Sequence, residues 1–422
     1  MAKNNIDLSV VLHDTSDYKD WLVELKERFY SHRLKASCAT NGYLLDFYWK
    51  LGRDIEAKQY ANTYGSGFYK NLSQDLKNEM PGVKGFSPIK CKTMKQNIID
   101  RINHLANEKE PFLFVVNYAG SEAYIRKLSE IAIDECLYDF EGITNVKRQS
   151  LSSVTKHPTW KVFEPNFEDY TKSFETVKSN ILRGNSYLAN LTCKVAVDCN
   201  LTLEDIFLRA KGKYKILLIE NNSNRQFVCF SPETFVKIKN GMIYSYPMKG
   251  TIDASLPEAE QVLMGDKKEA AEHATIVDLI RNDLSRVAEH VRVDKYRYID
   301  VLHTNKGNIL QTSSEISGKL PTGYQKHIGN ILDAMLPAGS ITGAPKDKTM
   351  EIIHEAEGYD RGFYTGVMGI YNNGELNSAV MIRFLENDGI ETYFKAGGGI
   401  TSKSDCRKEY EEVLQKVYLP SE

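Results

Sequence analysis

The sequence predicts an α+β protein in which a small all-helical domain precedes a larger domain of strands and helices. Two observations predict this. Apolar residues recur at helical spacing over residues 16–60, whereas β-rich runs separated by helical stretches follow residue 110. With 422 residues, 42% hydrophobic and 26% charged, the chain is long enough for two or three folded units.

The helical domain is predicted to span residues 1–95. Its apolar side chains follow a helical period around Trp21 and around Tyr48, and a further helix is expected to end at Pro81 and Gly82. This part of the chain contains 15 Lys and Arg against 11 Asp and Glu. So small an excess of positive charge is typical of a solvated surface and only weakly supports nucleic-acid binding.

The second domain is predicted to span residues 96–422. Its expected strands lie in the runs FLFVV (112–116), YKILLIEN (214–221), RQFVCF (225–230), TFVKIKNGMIYSYP (234–247) and SAVMIRFL (378–385). Helices are expected over 167–183, 258–289, 325–335, 346–357 and 405–418. The mixture predicts one large α+β domain.

The cysteines and the N-terminus bear on the compartment. The seven cysteines are scattered and include no CxxC pair, which argues against a disulfide framework or a structural zinc site. The first residues lack the apolar segment of a signal peptide, and no stretch approaches 18 apolar residues. We therefore expect a cytoplasmic protein.

Two acidic helices are the first candidates for chemistry. Glu269 and Glu272 lie three residues apart on one predicted helix, and Glu409 and Glu412 repeat that spacing on another. Two such pairs facing each other would suit Mg²⁺, which prefers carboxylate oxygens, water and the oxygens of a ligand. Two solvated, glutamate-rich helices are the simpler alternative.

The glycines at 397–399 follow the predicted strand TYFKA and precede the second acidic helix. A loop there would let backbone N–H groups approach an anion closely, although a plain tight turn or bulge has the same composition. The run GSITGAPKDK has the wrong glycine spacing for a nucleotide phosphate loop.

Three single residues are further candidates. Lys249, in SYPMKGTID, lies where a β-rich run meets a turn, so it is either an exposed lysine or, if desolvated, a nucleophile. Glu233 lies sixteen residues earlier, across the same predicted hairpin, and is a candidate general acid. Arg383, inside the predicted strand SAVMIRF, is placed to clamp a carboxylate.

These segments together resemble the chorismate-utilising enzymes, which include anthranilate synthase, aminodeoxychorismate synthase component I, and isochorismate and salicylate synthases. The resemblance runs from about Phe112 to the C-terminus. Nine motifs occur in the family's order: GNSYLANLT (184–192), SPE (231–233), PMKGT (247–251), EAAEHATIVDLIRNDLSRV (269–287), GSITGAPK (339–346), RGFYTGVMGIY (361–371), MIRF (381–384), AGGGI (396–400) and EYEE (409–412). So many ordered matches outweigh the simpler alternatives for single motifs.

The resemblance implies a two-lobed, chorismate-binding β-sandwich with outer helices and an active site between its sheets. By position, Glu272 and Glu412 would bind Mg²⁺, with Glu269 and Glu409 beside them, and the ion would hold the ring carboxylate of chorismate. Arg383, Tyr364 and the backbone of the three glycines would hold the enolpyruvyl side chain. The residues implied to contact the substrate are Arg383, Tyr364, Gly397, Gly398, Gly399, Thr342, Gln311 and Lys346.

The residue before Gly250 and Thr251 distinguishes activities within the family. It is alanine in anthranilate and isochorismate synthases and lysine in aminodeoxychorismate synthases; here it is Lys249. This implies attack of the lysine amine on C2 of chorismate while Glu233 protonates the departing C4 hydroxyl. Ammonia then adds at C4 and expels the lysine, giving 4-amino-4-deoxychorismate for p-aminobenzoate and folate synthesis. A separate glutamine amidotransferase would supply the ammonia, because nothing here resembles a Cys-His-Glu glutaminase.

One position departs from the family pattern. Many members have a histidine in an HLVSxxxG segment, where this chain reads LQTSSEISGKL and has Gln311. Glutamine can donate a hydrogen bond to a substrate oxygen but cannot titrate near neutrality. A proton-transfer role at this position is therefore in doubt, whereas the substrate is not.

Residues 1–95 resemble a different family, the N-terminal helical domain of proteins thought to be PD-(D/E)xK nucleases. The segments that carry this resemblance are LLDFYWKLGRDIEAKQ and YGSGFYKNLSQDLKNEMPGVKGFSPIKCKTM, and no nuclease half follows them. A natural gene fusion, a recombination product and an engineered fusion all fit this arrangement. Nucleic acid and protein both stay open as partners of this domain.

Two rival interpretations differ from the first in testable ways. An anthranilate synthase large subunit would share the fold, and alanine at position 249 or a product assay would identify it. A non-catalytic, chorismate-sensing regulator would use the N-terminal domain to bind nucleic acid or protein. Loss of Glu272, Glu412 or Arg383 would favour that regulator, and all three are present.

Overall fold

The computed structural model describes residues 94–146, 158–220, 225–304 and 307–419, together with positions 20, 21, 24 and 75. The chain divides into two compact units, Met1–Cys91 and Lys92–Glu422. The helices predicted over residues 1–95 lie almost entirely outside the described residues. None of the helices that can be described is long and apolar enough to cross a membrane.

The second unit contains eight α-helices and eighteen strands among its described residues. The helices are α1 (Gln96–Asn107), α2 (Phe167–Leu182), α3 (Leu203–Arg209), α4 (Ala259–Gly265), α5 (Lys267–Leu284), α6 (Ile328–Met335), α7 (Lys346–Glu357) and α8 (Cys406–Gln415). The strands are β1 (Phe112–Val116), β2 (Ala123–Lys127), β3 (Cys136–Phe140), β4 (Ile143–Thr144), β5 (Trp160–Phe163), β6 (Leu188–Cys199), β7 (Tyr214–Glu220), β8 (Arg225–Ser231), β9 (Thr234–Lys239), β10 (Met242–Ser245), β11 (Met248–Asp253), β12 (Glu289–Thr304), β13 (Gly307–Lys319), β14 (Gly343–Ala344), β15 (Val367–Asn372), β16 (Glu375–Val380), β17 (Phe384–Asn387) and β18 (Thr392–Ile400).

The strands form two antiparallel sheets of nine strands each. The first sheet has the order β11-β13-β10-β9-β16-β15-β1-β2, with β12 also paired to β13. The second has the order β14-β6-β18-β17-β8-β7-β3-β4, with β5 also paired to β6. The chain crosses between the sheets several times, so neither sheet is a continuous segment of sequence.

Three apolar cores hold these layers together. Strand β1 shows the arrangement: Phe112, Phe114 and Val116 face the core under α1, α5 and α6, whereas Leu113 and Val115 face the core between the sheets. A third core lies under α2, α3, α7 and α8 on the far side of the second sheet. Since β1 is buried on both faces, its sequence is continuously apolar. Two facing sheets with helices outside confirm the predicted sandwich.

Most predicted elements are found, and the differences have local causes. The helix expected over 258–289 is two helices, because the side chain of Asp266 accepts hydrogen bonds from the N–H groups of Lys268 and Glu269 and so begins α5 anew. The run 234–247 is the hairpin β9–β10. The run 378–385 is not one strand: it is split into β16 in the first sheet and β17 in the second, because the chain changes sheets there.

Candidate active site

The helix starts place the four candidate metal ligands. Asp266 caps α5, so Glu269 lies in its first turn and Glu272 follows three residues later. Asp405 caps α8 in the same way, accepting a hydrogen bond from the N–H of Lys408. Each pair of glutamates therefore starts near a helix N-terminus, where the helix dipole favours negative charge.

Lys249 lies at the start of a strand, not at the end of one as the sequence suggested. It belongs to β11, which pairs with β13 and is interrupted by a bulge between Met248 and Thr251. Gly250 has a φ of 83°, a conformation that side-chain-bearing residues rarely adopt. The bulge turns Lys249 out of the regular strand alternation.

Glu233 does not lie across a hairpin from Lys249, which corrects the second expectation for this segment. It precedes β9, whose hairpin partner is β10, whereas β11 is hydrogen-bonded to β13. The sheet order shows the reason, because β13 lies beside both β10 and β11 and so separates the lysine strand from the hairpin.

Lys249 and the glutamates of α5 are in direct contact. The Nζ atom of Lys249 lies 3.0 Å from Oε2 of Glu272, and Nζ of Lys268 lies 3.7 Å from the other oxygen. The side chain of Lys249 is 37% exposed and that of Glu272 is 22% exposed, so the pair is partly open to solvent. We refer to the space around Lys249, Glu272 and Glu412 as the cleft. Glu269 lies over the bulge: a Cβ atom at Gly250 would be 2.9 Å from its Oε2.

The glutamates of α8 approach the same cleft from the second sheet. A Cβ atom at Gly398 would lie 3.4 Å from Oε2 of Glu409 and 3.9 Å from Oε1 of Glu412. The Lys416 ammonium binds Glu412 at 2.8 Å and donates to the carbonyl of Gly397, also at 2.8 Å. Glu412 also helps to raise the pKa of Lys249, so the glutamates of the two helices act on the same lysine, while their role as metal ligands stays a prediction.

The pKa values report how these charges act on one another. Burial alone lowers the pKa of Lys249, but the carboxylates of Glu272, Glu269 and Glu412 outweigh it and hold the pKa above its usual value. Burial and the neighbouring Glu272 carboxylate raise the pKa of Glu269. Burial also raises the pKa of Glu409, and its Glu412 neighbour adds to that rise. The cleft thus holds more negative charge than its lysines neutralise.

The carboxylates of the four glutamates could bind a hard cation, although they do not converge on a single point. Among the described residues, no three His, Cys, Asp or Glu side chains converge as a ready metal site. The carboxylate oxygens of Glu272 and Glu412 are instead bound by ammonium groups, those of Lys249 and Lys416. Oxygen donors with surplus negative charge are what Mg²⁺ requires.

Glu233, the predicted general acid, is a partly buried carboxyl group just before β9. Burial raises its pKa, although the hydroxyl of Ser340 and the guanidinium of Arg383 both oppose that rise. Ser340 Oγ donates a hydrogen bond to Glu233 Oε1 at 2.5 Å. A carboxyl group in this environment retains its proton to a higher pH than an exposed glutamate.

Arg383 does not lie inside a strand, contrary to the sequence expectation. It occupies a bend between β16 and β17 with a φ of 55°, where the chain passes from one sheet to the other. Its guanidinium lies 5.4 Å from the ring centre of Tyr418. Tyr364 is buried between the sheets, with its ring 5.8 Å from that of Phe384, the residue after Arg383.

The glycines at 397–399 lie in strand β18, so the predicted glycine loop is wrong. They pair with residues 190–192 of β6 in regular antiparallel register, which extends the strand to Ile400. On the other side, β17 pairs with β18 only as far as Lys395. The backbone edge of the glycines therefore has a sheet partner on the β6 side alone.

The remaining predicted substrate residues, Thr342, Gln311 and Lys346, lie on different elements of the fold. Thr342 is buried, and its carbonyl accepts a hydrogen bond from the N–H of Asn190, opposite Gly399. Gln311 is on β13 beside Thr251, and its Oε1 is buried with no protein partner among the described residues. Lys346 is bound in a buried ion pair with Asp283 at 2.7 Å, so its role in substrate binding stays a prediction.

Sequence reasoning passed over one buried residue that connects the site. His273 follows Glu272 on α5, and its Nε2 lies 2.7 Å from Oγ of Ser314 on β13. The N–H of Ser314 donates to the carbonyl of Pro247, and Oγ1 of Thr312 donates to that of Lys249. His273 thereby ties the glutamate helix to the strands around Lys249. His273 lies inside a matched motif, but its spacing from the apolar residues of α5 is typical of a core position.

The fold is an α+β sandwich of two antiparallel sheets, and its candidate site brings Lys249 of the first sheet together with the glutamates of α5 and α8. The pattern of the chorismate binding enzymes matches residues 95–421, and the chain belongs to this family. It is therefore a chorismate-utilising enzyme, as the motifs predicted. The DUF1016 N-terminal domain matches residues 24–100, which confirms that the N-terminal segment resembles a second family.

Individual relatives show how far this similarity extends. An "Uncharacterized PabA-like protein" of Haemophilus influenzae is 48% identical over 78% of this chain and 97% of its own. Aminodeoxychorismate synthase component 1 of Bacillus subtilis is 31% identical over 60% of this chain and 55% of its own. The crystal structure of anthranilate synthase component I from Streptococcus pneumoniae aligns with a TM-score of 0.52 at 27% identity, covering 62% of this chain and 59% of that one.

Proposed function

We propose that the chain is an aminodeoxychorismate synthase component I, which converts chorismate and ammonia to 4-amino-4-deoxychorismate. The observation that carries this proposal is the position of Lys249. It occupies the place that distinguishes para amination from ortho amination in the family, and its amine enters the cleft formed by the glutamates of α5 and α8. An alanine there could not reach a substrate in this cleft.

In the proposed first step, the neutral amine of Lys249 attacks C2 of chorismate. The C2–N bond forms, the ring double bond shifts, and the C4–O bond breaks. Glu233 gives its proton to the departing oxygen, which leaves as water, and Glu233 becomes a carboxylate. The raised pKa of Glu233 supports this role, because a general acid must hold its proton near neutral pH.

In the second step, ammonia forms a bond to C4 and the C2–N bond breaks, returning its electron pair to Lys249. The proton lost from the new ammonium group restores Glu233. Splitting one displacement into two in this way is the usual advantage of covalent catalysis.

Magnesium is proposed as the cofactor, held by Glu272 and Glu412 with Glu269 and Glu409 beside them. When bound, the ion would bind the ring carboxylate of chorismate and neutralise the charges that raise the pKa of Lys249. The pairing of Lys249 with Glu272 supports this, because it shows that a cation is favoured at this point of the cleft.

The enolpyruvyl end of chorismate is proposed to lie against the second sheet. Arg383 supplies a positive charge beside the open edge of β18, and Tyr364 lines the adjoining core. The unpaired side of the glycine strand supports anion binding there, since backbone N–H groups without a sheet partner can donate to a carboxylate. Gln311, with a buried oxygen lacking a protein partner, is a candidate donor and acceptor for a substrate hydroxyl.

Ammonia is proposed to come from a separate glutamine amidotransferase subunit, and the product to serve p-aminobenzoate and folate synthesis. The similarity to an aminodeoxychorismate synthase component 1 supports both proposals. Free ammonium salts replace the partner in a direct test of the chemistry.

Anthranilate synthesis is the second candidate, and one observation favours it. The pKa of Lys249 is raised in this structure, and a protonated lysine cannot attack a ring carbon. Ammonia would then attack C2 itself and place the amino group ortho to the carboxylate.

The test is turnover of chorismate with ammonium and Mg²⁺, with the product identified by mass spectrometry and NMR. Formation of 4-amino-4-deoxychorismate supports the proposal. Formation of anthranilate or 2-amino-2-deoxyisochorismate would establish the second candidate instead, and formation of isochorismate would exclude both.

A further inference from the structure

A small cavity lies behind Glu233, on the side that faces α5. Its polar lining comes from Glu233, Ser340 and Asp283, together with Thr234 and Ser245, and apolar side chains such as Ile280, Met335 and Val380 form the rest. The space open to the centre of a water-sized sphere is about 10 Å³. This is about the least volume that accommodates a single water molecule, which also needs at least two polar partners.

Asp283 supplies an unusual acceptor to this cavity. Its side chain is 3% exposed, and Oδ2 binds the Lys346 ammonium at 2.7 Å. The other oxygen, Oδ1, is buried and has no protein hydrogen-bond partner among the described residues. Buried carboxylate oxygens are rarely left without a donor, because the loss of hydration is costly.

The residue before Ser340 packs against this aspartate, and both Ser340 and Asp283 line the cavity. Gly339 precedes Ser340, and a Cβ atom there would lie 2.7 Å from Cδ2 of Leu279 and 3.0 Å from Oδ2 of Asp283. Only glycine permits so close an approach of this turn to α5. The same turn places the Ser340 hydroxyl against Oε1 of Glu233, at 2.5 Å.

We propose that the cavity holds one water molecule, which donates hydrogen bonds to Asp283 Oδ1 and Ser340 Oγ and so fixes the proton of Glu233 on its second oxygen. The proposal deepens the proposed function and rests on it, because it concerns the orientation of the proposed general acid. Ser340 and Asp283 are then positioning residues, since neither touches the substrate.

The direction of each hydrogen bond follows from the chemistry of the groups. An ionised aspartate whose second oxygen is occupied by Lys346 can only accept, so the water must donate to Oδ1. The water donates its other hydrogen to Ser340 Oγ, which leaves the serine hydrogen for Oε1 of Glu233. Oε1 is therefore an acceptor, and the carboxyl proton of Glu233 must reside on Oε2.

One charged group acts directly on Glu233, and an ion pair lies at the cavity behind it. Arg383 lies on the sheet side and lowers its pKa, against the larger effect of burial. Asp283 on α5 lines the cavity and is paired with Lys346 on α7, so the charges of these two groups largely compensate. The Ser340 hydrogen bond also lowers the pKa of Glu233, because it stabilises the carboxylate.

The test compares Ser340→Ala with Ser245→Ala in the full chain. Ser245 lines the same cavity, but its hydroxyl donates to the Phe235 carbonyl, so it is a matched control. We expect Ser340→Ala to lower kcat roughly tenfold, the cost of one hydrogen bond to a charged group, with KM changed less than twofold. The fall of activity at high pH should move to higher pH, because Glu233 loses a bond that stabilises its carboxylate. Ser245→Ala should match wild type.

Asp283→Asn provides a second, independent test. Alone it should lower kcat in the same direction, and combined with Ser340→Ala it should cost no more than the worse single variant, because one break already interrupts the chain. Additive effects of the two substitutions would overturn the proposal. An unshifted pH profile in Ser340→Ala would also overturn it, and that measurement does not require Asp283→Asn to be stable.

A high-resolution crystal structure provides the direct observation. Density for one water molecule within hydrogen-bond distance of Asp283 Oδ1 and Ser340 Oγ is the expected result, and a dry cavity would overturn the proposal. This outcome and the pH profile of chorismate consumption do not depend on which product forms. A failure of the proposed function would instead appear in the product's identity, so the two failures are distinguishable.

Discussion

The Nζ atom of Lys249 lies 3.0 Å from Oε2 of Glu272, so the proposed nucleophile and a proposed metal ligand are bound to each other. This contact stabilises the charged form of the lysine, which is the unreactive form. Activation of Lys249 therefore requires that the negative charge of Glu272 be neutralised, and several predictions about reactivity and metal dependence depend on this pair.

The first prediction concerns the reactivity of Lys249. Glu272→Gln removes the largest charge that raises its pKa, so we expect faster labelling of Lys249 by an amine-selective reagent at pH 8 in metal-free protein. Peptide mass spectrometry gives the rate, with the exposed Lys403 as internal reference. Mg²⁺ added to wild type should act in the same direction. Slower or unchanged labelling in the variant would show that Glu272 does not control the lysine.

The second prediction concerns magnesium. Glu272→Gln or Glu412→Gln should raise the Mg²⁺ concentration needed for half-maximal turnover by more than ~10-fold, because each removes one carboxylate charge from the proposed site. Glu411→Gln is the control on the same helix, since Glu411 is 58% exposed and faces Arg407 instead of the cleft. An unchanged Mg²⁺ requirement in both cleft variants would exclude these carboxylates as ligands.

The third prediction concerns Glu233 and pH. A general acid acts only while protonated, so activity should be lost as pH rises through the raised pKa of Glu233. Glu233→Gln cannot donate a proton and should lower kcat by about 10²- to 10⁴-fold, as is usual for loss of a general acid. The high-pH limb should also disappear from what activity remains. A folded variant with wild-type kcat would contradict the role.

The fourth prediction concerns the N-terminal unit. Removal of residues 1–92 should leave ammonia-dependent activity intact, because every matched motif lies beyond it. The cut must precede Met94, whose side chain is buried and whose backbone N–H donates to Asp333 at 2.7 Å. Turnover per mole of folded protein is the measurement. A truncated protein that is folded but inactive would show that the first unit contributes to catalysis.

Local patterns in the sequence were enough to predict much of the fold. The apolar run of β1 and the periodicity of α2 and α7 are properties of short segments, so their bounds could be anticipated closely. The bend at Arg383 could not, because nothing local to MIRF shows that β16 and β17 belong to different sheets. The glycines at 397–399 were wrongly predicted as a loop for the same reason. They form a strand only because they pair with residues 190–192 of β6, which are distant in sequence.

The candidate site was predicted through motifs more than through geometry. Spacing placed Glu269 with Glu272, but only the fold brings Glu412 to the lysine of β11. The sequence did not identify two residues that act through buried contacts. His273 and Ser340 lie within matched motifs, but their neighbours in sequence are typical of a core position and a turn. Their importance depends on which atoms they face, and that is fixed by packing across distant segments.

The central claim is that Lys249 directs the amino group to C4, and product identity tests it most directly. Wild type, Lys249→Ala and Lys249→Arg are compared for rate and product, with intact-protein mass used to seek a trapped lysine adduct. Arginine keeps the positive charge and most of the volume but cannot act as a neutral amine. We predict that both variants lose 4-amino-4-deoxychorismate formation, and that Lys249→Ala leaks toward the ortho-amino product because ammonia can then attack C2. Formation of the para-amino product by both variants at the wild-type rate would contradict the account.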